Sequence, residues 1–281
     1  MENEVTYSAV IDCKTLFNRM EQQNWVIVDC RYSLADTTYG FQSYQTAHIP
    51  GAVYAHLDQD LCGPPLTDHG RHPLPSTEAM SALFGRLGIG NEVQVVVYDD
   101  ANGSFASRLW WMLRYMGHAS VAVLDGGWQA WQRAGYPTRS GLEKNELVKF
   151  VGTSRREKLV LIDEIADLPM LIDSRAPERH RGEIEALDPQ AGHIPGSANY
   201  FYQNNWDSNG LFLSPEVLKA RFIRLFGSND SEQVTFYCGS GVTACVNLVA
   251  VEHAGLGSAN LYVGSWSEWC RDPERPIATG G

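Results

Sequence analysis

The stretch AHIPGAVY, Ala47–Tyr54, returns as GHIPGSANY, Gly192–Tyr200, and the recurrence extends in both directions. Upstream, VIVDCRY (Val26–Tyr32) is matched by MLIDSRA (Met170–Ala176). Downstream, VVVYDD (Val95–Asp100) is matched by TFYCG (Thr235–Gly239), and LDGGWQAWQRAGYP from Leu124 by LYVGSWSEWCRDPERP from Leu261. The order is the same in both copies and the offset stays between 137 and 145 residues. Self-similarity at that spacing is a duplicated domain. The first copy is expected over residues 1–137 and the second over 159–281. The polar stretch TRSGLEKNELVKFVGTSRREK, residues 138–158, has charge and glycine without apolar periodicity and reads as a linker.

Within each copy, short β-branched runs such as WVIVDCR and VQVVVYD alternate with amphipathic segments such as TEAMSALFGRLGI and SPEVLKARFIRLFG. The runs have the length and composition of buried strands. The amphipathic segments start at Ser76 and Ser214, which are N-cap residues, and end at glycine. Alternation of this kind predicts an α/β fold: tandem domains, each a mostly parallel sheet with helices on both faces. Ligands of such sheets bind at the carboxyl ends of strands.

The 281 residues carry a net charge of −11, so no basic surface dominates to neutralise nucleic acid or an anionic membrane. No apolar run approaches the roughly 20 residues a spanning helix needs. The opening MENEVTYSAV shows no basic segment followed by an apolar core, which predicts a cytoplasmic protein with reduced thiols. The 6 cysteines form no CxxC pair, so neither a structural zinc site nor any other metal or cofactor is expected.

One cysteine stands apart. In VTFYCGSGVTACVNLVAV, Val234–Val251, Cys238 ends an apolar run and opens a glycine-rich turn, with no charged residue before Glu252. The pattern predicts a strand at 234–237, a loop at 238–243 and a helix from Ala244 to Ala254, capped by Gly255. The thiolate is the reactive form of cysteine, and inward-facing amides on a helix N-terminus stabilise an anion without a cation. Gly239 and Gly241 allow positive φ and close approach, Ser240 and Thr243 add hydroxyls, and Val242 completes the loop. The plainer reading is a glycine turn with a small buried cysteine. Cysteine phosphatases place arginine six positions after the cysteine to hold phosphoryl oxygens. Here that position is Ala244, which argues against phosphate hydrolysis.

The two copies control for each other. Where the second has Cys238 the first has Asp99, in YDDANGSFASRLWW, so the first is expected to be catalytically silent. Features present in both read as structural: the Asp29/Arg31 and Asp173/Arg175 pairs, the HIPG histidines His48 and His193, and the tryptophans Trp128, Trp131, Trp266 and Trp269. Arg179 and Arg181, in SRAPERHRGE, belong to the second copy alone and are candidates for holding an anion. Cys13, Cys30, Cys62, Cys245 and Cys270 read as core or incidental.

The duplicated HIPG halves, the closing GSWSEW and the single cysteine loop resemble the two-domain rhodanese superfamily over nearly the whole chain. The loop CGSGVTA is similar to that of its mercaptopyruvate-using members, whereas thiosulfate-preferring members usually carry cations within it. The resemblance implies a catalytic second domain, a site near the domain boundary and a persulfide formed on Cys238. It implies further that Ser240 works with a histidine and an aspartate contributed by the first copy. In HLDQDLCGPPLTDHGRHPLP these match His72, ahead of the Leu-Pro mark, and Asp58, with His72 preferred to His69. Arg181 matches the family's substrate arginine. A second arginine, usual a few residues on, is missing from EIEALDPQAG, which keeps thiosulfate open as donor. The expected partners are a small anionic sulfur donor and an acceptor such as thioredoxin, a small thiol or cyanide, with mercaptopyruvate favoured. A non-enzymatic sulfur-relay protein that receives persulfide from a partner is the remaining alternative.

Overall fold

The computed structural model describes residues 6–65 and 69–280, so the N-terminal stretch on which the cytoplasmic reading rests begins outside the described residues. The chain forms two compact units. The first comprises residues up to Leu61, Pro75–Ser154 and Asn209–Leu211. The second comprises Cys62–Leu74, Arg155–Ser208 and Phe212 onward.

In the first unit the chain runs β1 (Val10–Ile11), α1 (Cys13–Arg19), β2 (Trp25–Asp29), α2 (Tyr39–Thr46), β3 (Val53–Tyr54), α3 (Leu57–Asp60), α4 (Thr77–Arg86), β4 (Gln94–Tyr98), α5 (Ala106–Tyr115), β5 (Val121–Leu124) and α6 (Gly127–Arg133). The second unit continues with β6 (Leu159–Val160), β7 (Met170–Asp173), α7 (Pro177–His180), β8 (Ala198–Asn199), α8 (Pro215–Phe226), β9 (Val234–Tyr237), α9 (Ala244–His253), β10 (Asn260–Tyr262) and α10 (Ser265–Trp269). Each unit has a five-stranded sheet, ordered β1-β5-β4-β2-β3 and β6-β10-β9-β7-β8, and every described pairing is parallel. The two orders are the same order. The strands β2, β4, β5 and β9 are buried at every residue, as expected of strands covered on both faces by helices.

Helix boundaries follow the sequence signals. Ser76 Oγ accepts from the Ala79 amide at the start of α4, and Ser214 Oγ accepts from Val217 at the start of α8. Past the helix ends, Gly88, Gly227 and Gly255 all sit at positive φ. The stretch read as a linker is laid along the first unit as far as Ser154. His48 pairs with Arg139, Val148 N donates to Gly85 O, and Phe150 stacks edge-on against Phe84 at 5.0 Å.

The repeated residues form one structural module in each unit. Arg31 forks onto Asp29 and donates to Ala47 O at 2.7 Å, while Arg175 forks onto Asp173 and donates to Gly192 O at 2.7 Å. Each guanidinium lies over a tryptophan, Arg31 over Trp128 at 4.6 Å and Arg175 over Trp266 at 4.7 Å. The HIPG histidines are hydrogen-bonded to backbone, His48 Nδ1 to Tyr44 O and His193 Nδ1 to His180 O, both at 2.7 Å. Buried charges persist only when paired and hydrogen-bonded, and both units meet that demand in the same way.

Candidate active site

The strand β9 ends at Tyr237, and Cys238 is the first residue beyond its carboxyl end. Cys238 is a free cysteine, 1% exposed. Three bonds tie its loop to the first turn of α10. Cys238 N donates to Ser265 Oγ at 3.1 Å, Trp266 N donates to Cys238 O at 3.0 Å, and Ser267 N donates to Gly239 O at 2.9 Å. Ser265 also donates its hydroxyl to Tyr262 O at 2.9 Å and holds a left-handed φ of 56°. The first unit has Gly127 there, at φ 53°. A non-glycine residue at positive φ costs free energy, which the two hydrogen bonds of the Ser265 hydroxyl offset.

The first unit shows what this loop geometry does to an anion. The Asp99 carboxylate is fully buried and accepts from the amides of Ala101, Gly103, Phe105 and Ala106 at 2.7 to 2.8 Å. Burial alone drives the Asp99 carboxyl upward, and those amide bonds oppose it. The Asp99 side chain fills the amide cradle of its own loop. A strand-end residue followed by a turn onto a helix is therefore built here to surround one negative charge with N–H groups.

In the second unit the glycines differ in purpose. Gly241 has φ 73°, and a side chain there would reach within 2.3 Å of Val263 O. Gly239 is outside the left-handed region, which corrects the expectation of positive φ at both positions. What its missing side chain leaves free is space for cations. A methyl group at Gly239 would stand 3.0 Å from Arg71 Nη2 and 3.6 Å from Arg179 Nη1. Val242 is buried, and Thr243 occupies the N-cap of α9 without a side-chain capping bond. Cys245 Sγ points back to Gly241 O at 3.5 Å and braces the loop from the helix.

His72 and Ser240 are brought together: His72 Nδ1 lies 2.7 Å from Ser240 Oγ, and both residues are buried. The segment 62–74 that carries His72 belongs to the second unit. It is seated by Arg71 N, which donates to Ser267 Oγ at 3.0 Å, and by Gly70, where any side chain would meet Gly264 O at 2.4 Å. His69 is exposed. Asp58 belongs to the first unit, in α3, where its amide donates to His56 Nδ1 at 3.1 Å and its carboxylate accepts from Tyr32 OH.

The arginines separate. Arg181 is 37% exposed and forks onto Glu183 at 2.7 and 2.9 Å. Arg179 grips Glu185 through Nε and Nη2 at 2.7 to 3.1 Å and reaches Asp188 at 3.4 Å. Burial would raise the Glu185 carboxyl, but Arg179, the Leu187 amide and Arg175 hold it below the usual range. Arg71 places Nη1 on the buried carboxylate of Asp188. Sequence reasoning missed Arg71, Asp188, Ser265 and Ser267. Ser265 and Ser267 carried a usable signal, because the first copy has Gly127 and Gln129 at the matching places. Burial favours the thiol form at three of the other cysteines: it pushes Cys13 and Cys270 up to about 11 and raises Cys30 well above its ordinary value.

Comparison with known proteins agrees with the duplication. The family model for the rhodanese-like domain matches residues 12–134 and again 158–272. The chain is 41% identical over 280 residues to the Pseudomonas aeruginosa protein named "Probable 3-mercaptopyruvate sulfurtransferase", covering 96% of this chain and 98% of that protein. It is 33% identical to the thiosulfate sulfurtransferase of Rattus norvegicus, covering 100% of this chain and 98% of the relative. Among solved structures, the 3-mercaptopyruvate sulfurtransferase from Leishmania major superposes with a TM-score of 0.84 at 32% identity, over 95% of this chain and 76% of that one. With two matched domains and full-length relatives of this similarity, the chain belongs to the rhodanese family as a tandem-domain member.

Proposed function

We propose that the protein is a sulfurtransferase that moves a sulfane sulfur from 3-mercaptopyruvate to a thiol or cyanide acceptor through a persulfide on Cys238. The observation that carries this reading is the 2.7 Å contact between His72 Nδ1 and Ser240 Oγ, two residues from the thiol, within a loop that has no charged side chain of its own. The Cys238 thiolate attacks the donor sulfur, a new S–S bond forms and the donor C–S bond breaks. The leaving group is the enolate of pyruvate, which has to be protonated. Ser240 and His72 are placed to pass that proton, with the hydroxyl donating toward the substrate and the imidazole resupplying it. Asp58 enters by resemblance as the carboxylate of the relay. The persulfide anion then occupies the amide cradle, as the Asp99 carboxylate occupies the matching one, until an acceptor thiolate or cyanide attacks the outer sulfur.

A second reading has its own support. Sulfite leaving from thiosulfate needs no proton but gains from nearby cations, and Arg71 and Arg179 both face Gly239. The two donors are separated by paired turnover assays on the parent protein and on His72→Ala. A relay that protonates an enolate predicts that the histidine change lowers mercaptopyruvate turnover at least about a hundredfold and thiosulfate turnover far less. Equal losses with both donors would remove the proton-transfer role. Intact-protein mass spectrometry after exposure to donor should show one extra sulfur atom, absent in Cys238→Ser. A chain that takes up sulfur only from a protein donor would instead be a relay protein.

A further inference from the structure

We infer that Cys62 and His72 together form a binding site for a thiophilic divalent cation such as Zn²⁺, and that a cation there shuts off proton transfer through His72. The block rests on the sulfurtransferase reading, whereas the site rests on where two side chains stand. The Cys62 thiol and a ring nitrogen of His72 lie within 4.8 Å of one another. Thiolate and imidazole are donors that zinc takes in proteins. Bonds of about 2.3 Å to sulfur and about 2.0 Å to nitrogen set two donors of a tetrahedral ion about 3.5 Å apart, so a side-chain shift of about 1 Å closes this pair on an ion.

Backbone fixes the approach. Gly63 N donates to Pro73 O at 2.8 Å, and each donor side chain immediately precedes one of these bonded residues. His72 is 8% exposed and held at Ser240 through Nδ1, and the Arg71 amide before it is tied to Ser267 Oγ. Cys62 is only half-buried, which leaves a route for a hydrated ion. The matching stretch of the second copy, Tyr202–Ser214, has neither cysteine nor histidine, so the fold itself does not require the pair. Binding releases the Cys62 proton to solvent, forms one metal–sulfur and one metal–nitrogen bond, and leaves the other coordination positions to water. An imidazole with one nitrogen on a metal has only the other for a proton. It cannot take a proton on one side and pass one on at the other, so the pyruvate enolate is left without its acid. Sulfite leaves thiosulfate without a proton, and transfer from that donor continues. The cation is thus a donor-selective inhibitor.

The test begins on Cys238→Ser, which lacks the reactive thiol and needs no turnover. Co²⁺ added to it should give an ultraviolet thiolate-to-metal charge-transfer band. Adding Cys62→Ser should remove that band and weaken Zn²⁺ binding at least about tenfold by calorimetry. In the parent protein, Zn²⁺ should slow iodoacetamide labelling of Cys62, located by peptide mass mapping, a check that holds even if the Cys62 variants do not fold. Sulfur uptake is then followed by intact-protein mass, without acceptor, at free Zn²⁺ fixed by a metal buffer. Uptake from mercaptopyruvate should fall at least about tenfold while uptake from thiosulfate stays within about threefold. Cys62→Ser should take up sulfur normally without metal and resist its addition. An unchanged band and affinity without Cys62, or no protection of Cys62 from labelling, would overturn the site. Equal inhibition with both donors would overturn the block and put the cation on Cys238. A parent protein that gains no sulfur from either donor would sink the sulfurtransferase reading and leave the binding result standing.

Discussion

Ser265 shows how one hydroxyl can outweigh backbone strain. A left-handed φ on a non-glycine residue costs ~1–3 kcal/mol, yet the position that is glycine in the first unit is serine in the unit with the thiol. Its Oγ takes up the Cys238 amide and thereby fixes where the thiol points. Ser265→Gly should therefore leave thermal stability level or slightly raised while lowering sulfur transfer about tenfold, measured as initial rate against melting temperature. A rate equal to the parent's would show that the hydroxyl does not position the nucleophile. Ser240→Ala should resemble His72→Ala, since each removes one end of the same hydrogen bond, and the double variant should be little worse than either single one in turnover assays.

The turn between β9 and α9 has almost no conformational latitude. A Cβ at Gly241 would meet Val263 O at 2.3 Å in a left-handed backbone, so Gly241→Ala combines strain with a main-chain clash. We expect a loss of at least ~2 kcal/mol in urea unfolding, together with loss of transfer, because the loop cannot close over its anion. Segment 62–74 is the less legible component. Its prolines and polar residues suggest an exposed loop, yet His72 and Gly70 are buried. Local pattern is uninformative there because the partners, Gly264, Ser267 and Ser240, lie far along the chain. Helices α4 and α8 were readable because their caps and apolar faces are set by residues within a few positions of one another.

Across the chain, buried histidines set the acid response. His118, His193 and His253 each sit below the ordinary imidazole value of 6.5, with burial the leading cause in all three. An unfolded chain takes up protons near that value while the native histidines remain neutral to lower pH. The folded state therefore loses stability as pH falls below about 6.5 and through the depressed native values. Urea midpoints at about pH 7.5 and about pH 5.5 should show the lower value at the acid end, and a flat profile would mean that these imidazoles take up protons without opening the fold.

The amino-acid order alone was enough for the repeat, the α/β class, the strand-end placement of Cys238 and the uncharged character of its loop. Strand and helix periodicities act over a few residues, and a duplicated pattern can be read by comparing a chain with itself. The cations beside Gly239, the Ser267 link and the Asp99-filled cradle emerged only when the chain was folded. Hydrogen bonds and ion pairs act over a few ångströms in space, so Arg71 and Asp188, 117 positions apart, leave no local trace of their pairing.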